Sequence, residues 1–282
     1  MKINSVANVV NTGIEKSLFV DDFSVTCSSR NMRSIERLMQ NCLNKIQHWA
    51  DRNGFRFSRT KTVCMHFCNR RGAHCDPDLS LNGVQIPVVP QTKFLGLILD
   101  NKLNFKAHID YLRRKCQGAL NLLKVVSKKD WGADRPVLLR FYRSLVRSKL
   151  DYGCVVYSSA RESYLRKLLP VHNQGLRICM GAFRTSPMQS LYIEANEPPL
   201  HIRWKKLSLQ YALKLRSHRH NPTFGTTFDH KFGDIFLTKP TAIPPLAIRV
   251  REGPITGVYQ PRPCGAVYLF HHSSLEASRT SC

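Results

Sequence analysis

Apolar positions change their period near residue 104, and the change divides the chain. Before it they come in short runs. In SLFVDDFSVTC, residues 18–20 and 23–27 have strand composition and flank Asp21 and Asp22, whose turn chemistry predicts a hairpin with both acids at its tip. Ser28 or Ser29 then caps a helix in which Ile35, Leu38, Met39, Cys42, Leu43, Ile46 and Trp49 recur at three- and four-residue intervals, and Asn53-Gly54 ends it. Residues 55–57 and 62–68 are short β-prone runs, and residues 70–77 read as a loop. Asn82-Gly83, between Leu79-Ser80-Leu81 and Val84-Gln85-Ile86, is a strong hairpin signal. Residues 94–99, bounded by Lys93 and Asp100-Asn101, predict one more buried strand.

From residue 104 the period is helical. Ile109, Leu112, Cys116, Leu120, Leu123 and Val126 mark one helix, residues 137–145 a second, 164–178 a third and 200–215 a fourth, with Ser186-Pro187 opening a short one between the last two. Prolines at 222, 240, 244, 245, 254, 261 and 263 then break any pattern, so residues 219–282 read as an irregular tail. The fold class this predicts is α+β: antiparallel strands with a helix, then an all-helical unit.

Charge sharpens the picture. The 282 residues carry 43 Lys+Arg against 19 Asp+Glu, a formal net charge of +24. A compact state with that charge repels itself unless a polyanion neutralises it, and nucleic acid is the simplest such partner. Residues 101–150 hold thirteen bases and three acids, and residues 201–220 six bases and no acid. One basic helix face is usually only a solvated surface, but across the whole region no acid in the sequence pattern compensates. No stretch nears the ~18 consecutive apolar residues of a spanning helix, so no membrane partner is expected. Residues 1–17 have no apolar leader core, and ten scattered Cys then suit reduced thiols in an intracellular protein, nuclear or cytoplasmic.

Neighbouring carboxylates repel and raise each other's pKa, and a hard divalent cation relieves that strain. Alone, an Asp-Asp pair is most often a solvated turn. Cys64, His66 and Cys68 alternate along one strand with His74-Cys75 close behind, but they lack the spacing of a zinc knuckle. They read as buried strand residues, and no zinc is expected.

The order of segments gives the acids a context. FVDDFSV, a helix closing in HWADRNGFRFSRTKT, then LNG, KFLGLILD, LDYGCVVY and RTSPMQSLYIEANEPPLHIR together resemble a reverse transcriptase of non-LTR (LINE-type, Jockey-like) retrotransposons over residues 1–215. The resemblance implies a partial palm in residues 1–72, a hairpin with a primer-grip-like strand in 73–103, and a thumb-like region in 104–218. Asp21 matches the main metal ligand and Asp22 its neighbour, both catalytic and both holding Mg²⁺ or Mn²⁺. Phe19 matches the aromatic of the site floor. Lys61 matches a lysine that helps pyrophosphate depart, although it also reads as an exposed Lys beside Arg59. Phe94, Leu95 and Gly96 match the primer grip, which a core strand could equally explain. Arg113, Arg114, Lys115, Lys128 and Lys129, chosen by charge density, would meet the phosphates of an RNA template and DNA primer, that is, of an RNA–DNA hybrid.

The resemblance also implies a requirement that the sequence does not meet. The parent activity, extension of a primer 3′-hydroxyl with deoxynucleoside triphosphates, uses a further Asp from an earlier palm strand and a set of fingers. The twenty residues before Asp21 contain Glu15 as their one acid. The expectation is a fragment that does not polymerise alone. The alternative is a non-catalytic basic nucleic-acid-binding protein derived from a transposon.

Overall fold

The computed structural model describes residues 2–10, 13–68, 75–128 and 130–228, together with residue 246 and the backbone of 266–271 and 276–277. The chain forms two compact units, Met1–Leu103 with Arg262–Cys282, and Asn104–Pro261.

The first unit contains α1 (Val6–Val9), β1 (Glu15–Phe19), β2 (Asp22–Ser28), α2 (Met32–Asn53), β3 (Phe55–Arg56), β4 (Thr62–Phe67), β5 (Ser80–Leu81), β6 (Val84–Gln85), β7 (Gln91–Phe94) and β8 (Leu97–Asp100), joined by β9 (Ala266–His271) and β10 (Glu276–Ala277). Its main sheet has the order β1-β2-β9-β4, every neighbour antiparallel. Part of the expected irregular tail is thus a central strand. Prolines end at 263, and the Ala-Val-Tyr-Leu-Phe run behind them is β-branched and aromatic.

Helix α2 lies where its period puts it, but its cap is Asn31, whose Oδ1 accepts from the Arg33 N–H at 3.0 Å. Ser28 is instead used to finish β2, and the Ser29 hydroxyl accepts from the Asn31 N–H. Gly54, at φ +70°, closes the helix by donating to the Ala50 carbonyl, a left-handed conformation that glycine takes without a Cβ clash. Ile35, Met39, Cys42, Leu43, Ile46 and Trp49 pack against Phe23, Val25 and Cys27 of β2 and Cys64 of β4. Met65 and Phe67, on the alternate positions of β4, belong to a second cluster with Phe94, Leu99 and Leu103. Strand β4 is therefore buried on both faces, which explains why Val63, Cys64 and Met65 follow one another without alternation. The side-chain amide of Gln40 ties α2 to the β5–β6 hairpin by accepting from the Ser80 N–H and donating to the Ser80 carbonyl, both at 2.9 Å.

One expected strand is corrected. Residues 94–99 turn back on themselves: Phe94 pairs with Leu97, and Leu95 (φ +45°) and Gly96 (φ +81°) form a two-residue turn between β7 and β8. A leucine at the first turn position hid the turn in an apolar run, and the residues flanking it are only half-buried.

The second unit is helical: α3 (Lys106–Val126), α4 (Arg135–Tyr142), α5 (Ser148–Asp151), α6 (Cys154–Tyr157), α7 (Glu162–Leu165), α8 (Leu169–Met180), α9 (Met188–Glu194), α10 (Leu200–Ser217) and α11 (Thr223–Phe228). A wide π turn, Arg143–Arg147, joins α4 to α5 without a break. Gly175 lets α8 close on α4, since a Cβ there would lie 2.7 Å from two ring carbons of Tyr142.

Candidate active site and nucleic-acid surface

The β1–β2 hairpin presents the two acids, in a slightly different frame from the expected one. Phe19 pairs with Asp22, so the turn consists of Val20 and Asp21, and Asp22 is the first residue of β2. Val20 stands at φ +59° and is 69% exposed, a conformation that costs a β-branched residue about 1–2 kcal/mol. Its strand composition misled the sequence reading, because the pairing register places it in the turn. Both aspartates are half-buried, and Phe19 is 60% exposed at their side.

Register also decides what lies near them. His271 of β9 is the Cα partner of Phe23 on one side and of Thr62 on the other. Strands β2 and β4 run in the same direction, so Asp22 and Lys61, each one residue earlier, come to the same rim of the sheet. One strand separates them, a backbone distance of about 10 Å. The turn before Lys61 is fixed by Ser58, whose carbonyl accepts from the Thr62 N–H at 3.1 Å and from its hydroxyl at 2.8 Å. Lys61 itself is exposed.

Two adjacent carboxylates at a turn have the oxygen chemistry that a hard divalent cation prefers, and they fill two of its positions. Among the described residues no group of three or more His, Cys, Asp or Glu side chains is placed to hold a metal ion. Cys64 and His66 are buried, and burial pushes the Cys64 thiol up to about 12, with the Asp76 charge adding to it. His66 Nδ1 lies 3.2 Å from an Asp76 oxygen. His74 lies outside the described residues.

Phe94 packs in the second apolar cluster, while Leu95 and Gly96 form the tip of the β7–β8 turn. In the second unit Arg113, Arg114 and Lys115 occupy the exposed arc of α3, and Lys128 follows its end. Lys115 lies over the Tyr111 ring at 5.6 Å and Lys128 over Trp131 at 6.0 Å, which pairs cationic heads with rings. Lys129 lies outside the described residues.

The structure corrects the expectation that nothing acidic offsets the bases. Glu197, with a side chain 1% exposed, accepts from Arg143 and Arg147 at 2.6 Å each. Asp151 takes Arg203 at 2.8 Å, Glu194 takes Arg135 at 2.7 Å, and Asp110 takes Lys167 at 2.8 Å. These partners sit 50 to 59 residues apart, except that Arg147 and Asp151 are a turn apart on one helix, so sequence blocks could not reveal them.

The LDYGCVVY and EANEPPLHIR segments thus form internal scaffolding. The Tyr157 hydroxyl and the Trp204 indole N–H both donate to the Leu150 carbonyl, and the two rings meet edge to face at 5.7 Å. Nearby, the Tyr142 hydroxyl bonds to His172 Nδ1, and burial lowers the His172 pKa to about 4 despite the opposing effect of Glu197.

Over part of its length the chain is similar to proteins of non-LTR retrotransposons. It is 30% identical over 152 residues to a retrovirus-related Pol polyprotein from the type-1 retrotransposable element R1 of Bradysia coprophila, covering 54% of this chain and 15% of the relative. It is 28% identical over 204 residues to the RNA-directed DNA polymerase from mobile element jockey of Drosophila melanogaster, covering 71% of this chain and 22% of the relative. A probable RNA-directed DNA polymerase from transposon X-element of the same fly is 24% identical over 210 residues, covering 72% and 22%. The chain therefore matches about a fifth or less of the length of these relatives. No protein-family profile matches it, and no solved structure does.

Proposed function

We propose that the chain is a portion of an RNA-directed DNA polymerase of a non-LTR retrotransposon, the first unit serving as the back of the palm and the second as the thumb along a template–primer duplex. The observation that carries this reading is the shared sheet rim of Asp22 and Lys61, with Asp21 at the adjoining turn.

In this reading Asp21 and Asp22 hold Mg²⁺ or Mn²⁺. When bound, the ion polarises a phosphoryl oxygen and steadies the negative charge that develops during transfer. Lys61 places a positive charge beside the departing pyrophosphate. Gly96, with no Cβ, lets the turn backbone come close to the primer end. Arg113, Arg114, Lys115 and Lys128 neutralise phosphates without reading bases, as a polymerase needs. The chain alone does not turn over, because a polymerase metal cluster takes a further carboxylate and the two acids have no such companion among the described residues. Losing one preorganised electrostatic element costs about 3–4 kcal/mol of barrier.

The test is binding of a labelled RNA–DNA hybrid, with a parallel Mn²⁺ titration read by electron paramagnetic resonance. If six phosphates are neutralised, affinity should fall by roughly a thousandfold between about 50 and 200 mM salt. Asp21→Asn with Asp22→Asn should remove bound Mn²⁺ and leave hybrid binding in place. Absence of hybrid binding at low salt would overturn the whole reading. Unchanged Mn²⁺ binding in the double variant would strip the acids of their role and leave a basic binding protein.

A further inference from the structure

Helix α2 buries one face in the first unit, and a polar stripe of Gln40, Asn44, Gln47, His48 and Asp51 runs along another side at spacings of one helical turn. With Leu81 and the exposed tip of the β5–β6 hairpin, this stripe encloses a cavity of about 350 Å³. That volume lies within the range of small-molecule sites, about 300–1,000 Å³. Although the sequence holds 43 Lys+Arg against 19 Asp+Glu, the cavity is lined by one carboxylate and by neither lysine nor arginine. Phosphate is therefore not what it grips.

The polar groups are held in place from behind. The Gln40 amide, closed on Ser80 in both directions, also donates to Asn44 Oδ1 at 2.9 Å, which leaves the two Nδ2 hydrogens of Asn44 unpaired among the described residues. Gln47 Nε2 donates to Asp51 Oδ1 at 2.8 Å and steadies the carboxylate, whose Oδ2 has no partner there. Gln47 Oε1 is itself buried, so Asp51 is the acceptor that a ligand meets. His48, exposed and three residues before Asp51, sets a flat ring beside that carboxylate.

A carboxylate is satisfied best by two adjacent N–H donors. Among the bases only guanine presents such a pair on its Watson–Crick edge, N1–H beside the N2 amine, whereas the others offer a donor next to an acceptor. Asn44 lies two turns from Asp51, about 10 Å along the helix, roughly the reach from a base edge to its sugar. An amide donor at that distance suits a ribose hydroxyl.

We propose that the cavity between α2 and the β5–β6 hairpin holds one unpaired guanosine of an RNA strand, with its base edge on Asp51, its ring against His48 and its ribose at Asn44. The absence of a phosphate grip in the lining favours a residue within a strand over a free nucleotide. The proposal rests on the reading of RNA as the partner, and on no role for Asp21, Asp22 or Lys61. A base-paired guanine has this edge occupied, so the RNA–DNA hybrid does not fill the site.

The experiment titrates the full-length chain with labelled oligouridine strands by anisotropy, at salt high enough to suppress phosphate contacts. A strand with one central guanosine should bind about tenfold or more tightly than oligouridine alone, and inosine, which lacks the N2 amine, should lose most of that gain. Asp51→Asn should erase the guanosine preference and leave hybrid binding at low salt unchanged. Asn44→Asp keeps the acceptor that Gln40 uses but removes the donors, so it should abolish any preference for guanosine over deoxyguanosine at the central position. Equal affinity for the guanosine and uridine strands, a preference that survives Asp51→Asn, or free guanosine monophosphate competing as well as the strand would each overturn the proposal. Loss of hybrid binding with the guanosine preference intact would instead count against the polymerase reading alone.

Discussion

His172 is a titratable group held neutral inside the second unit. Its pKa is about 4 when folded and near 6.5 when exposed, so the unfolded chain takes up the proton first as pH falls. The stability this contributes is complete above about pH 6.5 and is lost progressively down to about pH 4, amounting to about 3 kcal/mol. Denaturant unfolding of the His172→Gln chain across that window should show a shallower acid loss than the unaltered chain, and an unchanged slope would contradict the buried neutral imidazole. Glu197 tests a different property of the same region. Replacing it with Gln leaves Arg143 and Arg147 facing each other without their shared carboxylate, and should cost about 3 kcal/mol. Chemical denaturation of the second unit measures that loss. The additional change Arg147→Met should recover part of it, as pairs in contact are not additive.

Elements that declare themselves through local pattern were legible, and those decided by distant pairing were not. Helix α2 was readable because its apolar period survives in one uninterrupted stretch, and the β5–β6 turn because Asn82-Gly83 suits positive φ at both positions. The β7–β8 turn shows the limit: Leu95 adopts φ +45° against its own preference, and only the paired strands on either side impose it. The candidate site shares this property. Its acids could be named from the sequence, but the first of the two turn residues between β1 and β2 proved to be Val20, at φ +59°, ahead of Asp21. Val20→Gly should relieve that strain and, after the entropy glycine adds to the unfolded chain, stabilise the hairpin unit by roughly 0.5–1 kcal/mol. If the strained turn aims the carboxylates, the same change should weaken Mn²⁺ binding. A more stable chain with unaltered Mn²⁺ affinity would show that the strain positions nothing.

For the molecule as a whole, net charge was the most readable property, whereas the choice of which cations stay at the surface was made by folding. The net +24 is a fact of composition, yet Arg135, Arg143, Arg147, Lys167 and Arg203 are engaged with acids far away in sequence. Those acids are already counted in the sum, so the pairs leave the net charge all but unchanged and decide only which cations face solvent, Arg113, Arg114, Lys115 and Lys128 among them. The central place of β9 could not have been read locally either, since nothing within its six residues names partners at the opposite end of the chain.

That placement has a consequence for synthesis. A ribosome releases β2, α2 and β4 first and then must make the entire second unit, a delay on the order of ten seconds, before residue 271 emerges. For that interval the nascent protein holds a half-built sheet open to any passing chaperone or neighbouring nascent chain.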